Sequence, residues 1–184
     1  YREALDRDPE AADLQVQLGY VLLETEEPQA AEQAFLKALE CDPAEYSAYL
    51  GLSECYRQAG RTEDQARMVK EALALAPEDG DVWNAQGVAL EVQGHLVEAT
   101  DAYDKALALD PGLRKAANNL GYVLEKRMDQ GETALRDRAV AAWKLRLLIC
   151  RDEGQSLKKA TEHLKKLGVG EEQILRWVNH EAAP

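Results

Sequence analysis

At 184 residues, 46% hydrophobic and only 6% aromatic, the chain holds enough apolar material for one core or a short repeat array. Its wealth of Ala, Leu, Glu, Gln, Lys and Arg excludes a strand-built fold. The net charge of −12 is unevenly divided, since residues 1–111 hold 24 acidic against 8 basic side chains and residues 112–184 hold 10 against 14, which excludes nucleic acid as ligand of the acidic part and favours a basic or mixed-charge protein partner.

No apolar run approaches the ~18 residues of a membrane span, and no secretory signal is visible, so the cytoplasm is the expected compartment. Cys41, Cys55 and Cys150 are an odd, widely spaced set without a CxxC pair, expected to serve as small buried apolar residues.

Self-comparison organises the chain. Pro9, Pro43, Pro77 and Pro111 are each 34 residues apart. In the same register stand Ala4, Ala38, Ala72 and Ala106, then Leu5, Leu39, Leu73 and Leu107, with a large apolar set of Tyr1, Phe35, Val69 and Tyr103. After each proline comes a small residue in Leu18-Gly19, Leu52-Ser53, Gln86-Gly87 and Leu120-Gly121, with Leu22, Tyr56, Leu90 and Leu124 three positions beyond it. Each unit therefore reads as two helices with small residues at their crossing and a proline that ends the second.

Taken in order, residues 1–11 supply only the second helix of a truncated repeat, so a longer parent protein is expected. Residues 12–45 form a full unit in which Pro28 falls at the first turn of the second helix, where a missing N–H costs nothing. Residues 46–79 repeat it with Gln65 in place of a small residue, and residues 80–113 carry Trp83, Gly87, Leu90, Gly94, Ala99, Tyr103, Ala106 and Pro111. Residues 114–152 are atypical, because Ala139, Trp143 and Leu147 regain the pattern only after about six inserted residues, which predicts a longer or shifted second helix. In residues 153–184, Ser156 is placed to cap a helix through Leu157, Ala160, Leu164 and Leu167 that stops at Gly168. A last helix around Glu171 to His180, with Ile174, Leu175 and Val178, then covers the exposed core.

These residues and spacings resemble the tetratricopeptide repeat (TPR), whose pattern runs W-x2-L-G-x2-Y, then A-x3-F, then P. The resemblance covers residues 1 to about 128. It implies an all-α fold, a right-handed α-solenoid of TPR helix-turn-helix repeats with C-terminal capping helices. The chain departs from the pattern at Gln15 and Ala117, which replace the first aromatic, at Gln65, and at Glu26 and Met128, which replace the glycine between helices.

In that family, positions 2, 5, 9 and 12 of each first helix line the concave surface. The resemblance implies a partner-binding set of Val16, Tyr20 and Leu23 in the first full repeat, Leu50, Glu54 and Arg57 in the second, Asn84, Val88 and Glu91 in the third, and Lys115, Asn118, Tyr122 and Glu125 in the fourth, with Asp13, Ser47 and Asp81 at the remaining positions. The implied function is a protein-interaction adaptor or scaffold whose groove takes a partner segment with apolar anchors and basic residues. The alternative is a regulatory or substrate-docking segment of a larger enzyme or assembly factor. The carboxylate clamp of the chaperone-binding members is not matched: of the residues at its positions, only Lys115 fits. The uncovered half-repeat from Tyr1 to Pro9 offers an edge for self-association.

No enzymatic, cofactor or metal chemistry is expected. His95, His163 and His180 share no ligand spacing and read as surface residues, and Glu78-Asp79-Gly80-Asp81 lacks EF-hand spacing and fits the acidic first turn of a helix. GxxxxGK[ST], GxGxxG and GxSxG are absent.

Overall fold

The computed structural model describes residues 11–149 and 154–179, apart from the side chains of 154–156. The half-repeat and its self-association edge, Cys150 and His180 lie outside the described residues. Every regular element among the described residues is helical: α1 Ala12–Glu24, α2 Pro28–Cys41, α3 Tyr46–Gln58, α4 Thr62–Leu75, α5 Gly80–Val92, α6 Leu96–Leu109, α7 Arg114–Asp129, a 3-10 turn at Thr133–Leu135, α8 Arg136–Ile149, α9 Gly154–Lys166 and α10 Glu171–Val178.

The chain falls into two compact units, divided between His95 and Leu96. In the first, α1 pairs with α2 and α3 with α4, and α5 lies against α3 and α4. In the second, α7 packs on α6 and α8, while α9 and α10 cover α8.

The small-residue rule has a direct steric reading. Ala31, Phe35 and Ala38, at i, i+4 and i+7, are wholly buried on one stripe of α2. The Phe35 ring lies in the space left by two missing side chains, since a Cβ added at Gly19 of α1 or Gly51 of α3 would overlap it. Trp143 does the same in the second unit, where a Cβ at Gly121 would come 2.6 Å from the indole.

Turns follow local chemistry. Gly60 and Gly94 adopt φ of 69° and 84° between consecutive helices, a left-handed conformation natural to glycine. Glu26 stands at the equivalent place with φ 61°, and a side chain there costs roughly 1–2 kcal/mol. Asp42 and Asp110 accept hydrogen bonds from Ala44 N (2.9 Å) and Gly112 N (2.8 Å), closing turns around the repeat prolines. Asp79 caps α5 by accepting from Val82 N at 3.1 Å. Gly168, with φ 81°, ends the turn after α9.

Three expectations need correction. Cys41 is exposed; Cys55 alone of the two described cysteines is buried, and burial pushes its thiol up to about 11. Ser156 is not the N-cap of α9, because the helix already begins at Gly154. Met128 does not stand in for the turn glycine, because it lies inside α7, and the left-handed turn residue of this hairpin is Gly131 with φ 108°.

That hairpin shows where the extra residues go. Helices α2, α4 and α6 start 16 residues after the starts of α1, α3 and α5 (12 to 28, 46 to 62, 80 to 96), but α8 starts at 136, six residues later than that spacing gives. Three of them lengthen α7 and the rest enter the turn. Arg127 holds the excess in place, donating from Nε and Nη2 to Glu132 (3.0 and 2.5 Å) and from Nη1 to Thr100 Oγ1 of α6 (3.1 Å).

Gly51→Ala should lower the unfolding midpoint although an alanine inside a helix normally gains about 1 kcal/mol, because overpacking against Phe35 costs about 1–3 kcal/mol. Adding Phe35→Leu should recover part of the loss in a thermal melt, and a stabilised Gly51→Ala would contradict the ring-to-glycine contact.

Hydrogen bonds from Arg127 hold the Glu132 carboxyl below its usual range, so its contribution is present above the unfolded-state value of about 4.3 and is lost as pH falls through the lower folded-state value. Thermal melts of Glu132→Gln should therefore lie below wild type above about pH 5, and the gap should close as the solution is acidified.

Candidate protein-binding face

In the first unit α1, α3 and α5 lie side by side, which sets their inner stripes next to one another. Tyr20, 38% exposed, lays its ring edge-on against Phe35 at 5.2 Å between centroids and donates from its hydroxyl to Ser47 O at 3.1 Å. Burial first, and then the nearby carboxylates Asp81 and Glu45, push its phenol well above the ordinary tyrosine range, so the hydroxyl stays protonated as a donor. Tyr20 is therefore part of the packing that joins α1 to α3 as well as part of the face.

The neighbouring side chains grade from apolar to charged. Val16 and Asn84 are buried, Leu23, Leu50, Val88 and Glu91 half-buried, and Arg57 exposed. Glu54 is occupied locally: it accepts from Arg57 Nε and Nη2 (2.7 and 2.5 Å) and from Gln58 Nε2 (2.9 Å). Surface pairs of this kind add little stability, about 0.3–0.5 kcal/mol, but they fix where the carboxylate points.

The sequence profile of the tetratricopeptide repeat family matches residues 1–46 and 56–114, more than half of the chain. The chain belongs to the tetratricopeptide repeat family. Among curated relatives, the peroxisomal targeting signal receptor of Candida albicans is 32% identical over 93 residues, 48% of this chain and 16% of the receptor. The chain thus spans about a sixth of that relative's length. Among solved structures, PilF of Pseudomonas aeruginosa superposes with a TM-score of 0.74 at 22% identity, covering 96% of this chain and 78% of that one. YrrB, a TPR protein with an unusual peptide-binding site, gives 0.61 at 19% identity, covering 98% and 91%. Both likenesses bear on the fold, an all-helical TPR solenoid.

On α7, at the start of residues 114–152, the expected face is altered. Lys115 is exposed and Asn118 and Tyr122 are half-buried on α7, but Glu125, expected as an open groove carboxylate, is 6% exposed. It accepts from Trp143 Nε1 at 2.7 Å and from Lys166 Nζ at 3.0 Å, and meets His163 Nδ1 at 2.7 Å. His163, expected at the surface, is half-buried, stacked on Trp143 at 4.1 Å and edge-on to Tyr122 at 4.9 Å. Lys159 Nζ stands 5.0 Å from the centre of the Tyr122 ring.

The reason is that α9 packs on α8 and brings Lys159, His163 and Lys166 onto the stripe of α7. Position 12 of a TPR first helix is open only while the next helix leaves it uncovered. The signal available beforehand was the spacing of Lys159, His163 and Lys166, at i, i+4 and i+7 on one helical face. Among the described residues no group of three or more His, Cys, Asp and Glu is placed to hold a metal ion, and no helix is long and apolar enough to cross a membrane.

Glu125→Ala would leave an indole N–H, an imidazole and an ammonium without their shared acceptor. It should destabilise the chain by roughly 3 kcal/mol or more in urea unfolding, whereas Glu125→Gln, which keeps one acceptor oxygen, should cost clearly less.

Proposed function

We propose that the chain works as an adaptor whose first unit holds an extended or helical protein segment on the inner face of α1, α3 and α5. The observation that supports this most is the composition of that face: Leu23, Leu50 and Val88 stand among Asp81, Glu54 and Glu91 on three adjacent helices, so apolar anchors and carboxylates face the same ligand. A segment with apolar side chains and interspersed basic residues complements it. Membership of the TPR family and the peptide-binding site named for YrrB support a protein ligand. The residues of the fourth TPR belong to the other unit, and Glu125 is excluded from this face because it is buried.

Apolar anchors at such a face carry most of the affinity, and exposed charges mainly set association rate and salt dependence. With a partner captured on the intact protein and then purified, Leu50→Ala combined with Val88→Ala should weaken binding about tenfold or more at any salt concentration. Glu54→Lys combined with Glu91→Lys should slow association chiefly at low salt. A partner that binds both double variants as tightly as wild type would remove this face from consideration.

A further inference from the structure

The cations of the second unit divide into those already committed and those still open. Arg127, Arg138, Lys165, Lys166 and Arg176 each meet a carboxylate. Lys115 of α7 and Lys159 of α9 are exposed, and neither has an ion-pair partner among the described residues. Both open cations belong to one surface. Lys115, Asn118, Tyr122 and Glu125, at i, i+3, i+7 and i+10, share one stripe of α7, and Lys159 Nζ reaches that stripe 5.0 Å from the centre of the Tyr122 ring.

The surface is held in place from below. Tyr122 is half-buried, and its ring is fixed edge-on by Trp143 at 5.0 Å and by His163 at 4.9 Å, so the ammonium above it has a defined seat. The carboxylate of the same stripe, Glu125, is buried and accepts from Trp143 Nε1 and Lys166 Nζ, which removes it as a counter-charge for Lys115 and Lys159. Asn118 is half-buried, and its amide has no hydrogen-bond partner among the described residues. Two unpaired cations thus flank an amide that can both donate and accept. The face on α1, α3 and α5, with Glu54, Asp81 and Glu91, carries the opposite charge.

We propose that this stripe docks an acidic protein segment, with Lys115 and Lys159 each holding a carboxylate and Asn118 pairing with the backbone between them. Lys115 and Tyr122 stand about 10.5 Å apart along α7. An extended chain advances about 3.3 Å per residue, so the two carboxylates belong about three residues apart. A short acidic segment suits the stripe better than nucleic acid does. Two cations neutralise few phosphates, and the 24 acidic against 8 basic side chains of residues 1–111 repel a polyanion. The stripe is independent of the face on α1, α3 and α5, so either can fail without the other.

The test titrates the full chain with acetyl-Glu-Ala-Leu-Glu amide, with acetyl-Gln-Ala-Leu-Gln amide and with a uridine hexanucleotide, reading backbone amide resonances in a salt concentration whose Debye length is about 10 Å. The Glu peptide should move Asn118, Tyr122 and Lys159 saturably, and the Gln peptide should leave them in place. Lys115→Glu combined with Lys159→Glu should weaken the Glu peptide about tenfold or more. Lys37→Glu combined with Lys70→Glu makes the same change of net charge at exposed positions of α2 and α4 and should cost less than about twofold. Should the first double variant fail to fold, Lys115→Gln combined with Lys159→Gln takes its place and should weaken the peptide about fivefold. No saturable shift with the Glu peptide, an equal response to the Gln peptide, tighter binding of the hexanucleotide, or an equal loss in the Lys37 and Lys70 variant would each overturn the proposal.

Discussion

An aromatic ring placed against a glycine is the contact on which both units rest. Phe35 fills the room vacated at Gly19 and Gly51, and Trp143 fills the room at Gly121. The close approach of helices and the burial of a large side chain are therefore one event, and a full-sized residue on either side forbids both. Fully burying such a side chain is worth about 1.5–3 kcal/mol relative to leaving it exposed, so a chain poor in aromatics concentrates its apolar payload at these crossings. The turns, caps and prolines then serve to deliver ring and glycine to the same place.

Much of this was legible without coordinates. Four registered prolines and their alanines place α1 to α6 closely, because helix ends and crossings are decided by residues within a few positions of them. Legibility fell where a residue's fate depended on an element outside the register. Glu125 occupies a position that is open in a regular array, and only the approach of α9 with His163 and Lys166 turns it into a buried acceptor. Arg146 of α8 is 8% exposed, and its burial is not legible because Ala139, Trp143 and Leu147 preserve the pattern around it. Tyr20 stands on the first-helix stripe that its register gives, but its edge-on contact with Phe35 makes it a packing residue, which spacing alone does not reveal.

Charge is used in two different ways along the chain. In the first unit, acidic side chains such as Glu54 sit near the surface, pair with residues three or four positions away and contribute little to stability. In the second, the fewer carboxylates that matter are committed: Glu132 fastens the lengthened turn after α7, and Glu125 gathers three donors from α8 and α9. A side chain offered to solvent can serve recognition, whereas one buried among donors is spent on architecture. The division is the reason the ligand face is proposed on the acidic half.

Trp143 lends the second unit an optical property. Its indole is wholly buried, donates to Glu125 and lies nearly parallel to the His163 imidazole, 10° apart in plane, whereas Trp83 is hydrogen-bonded to the Pro77 carbonyl and Trp177 lies beneath Lys144. An indole stacked on an imidazole and bonded to a carboxylate emits differently from one in water, both in wavelength and in quenching. With Trp83 and Trp177 replaced by Phe, the emission of Trp143 therefore reports on the contacts that His163 of α9 and Glu125 of α7 make with its ring, so a spectrum recorded with no added label shows whether α9 is seated on α8.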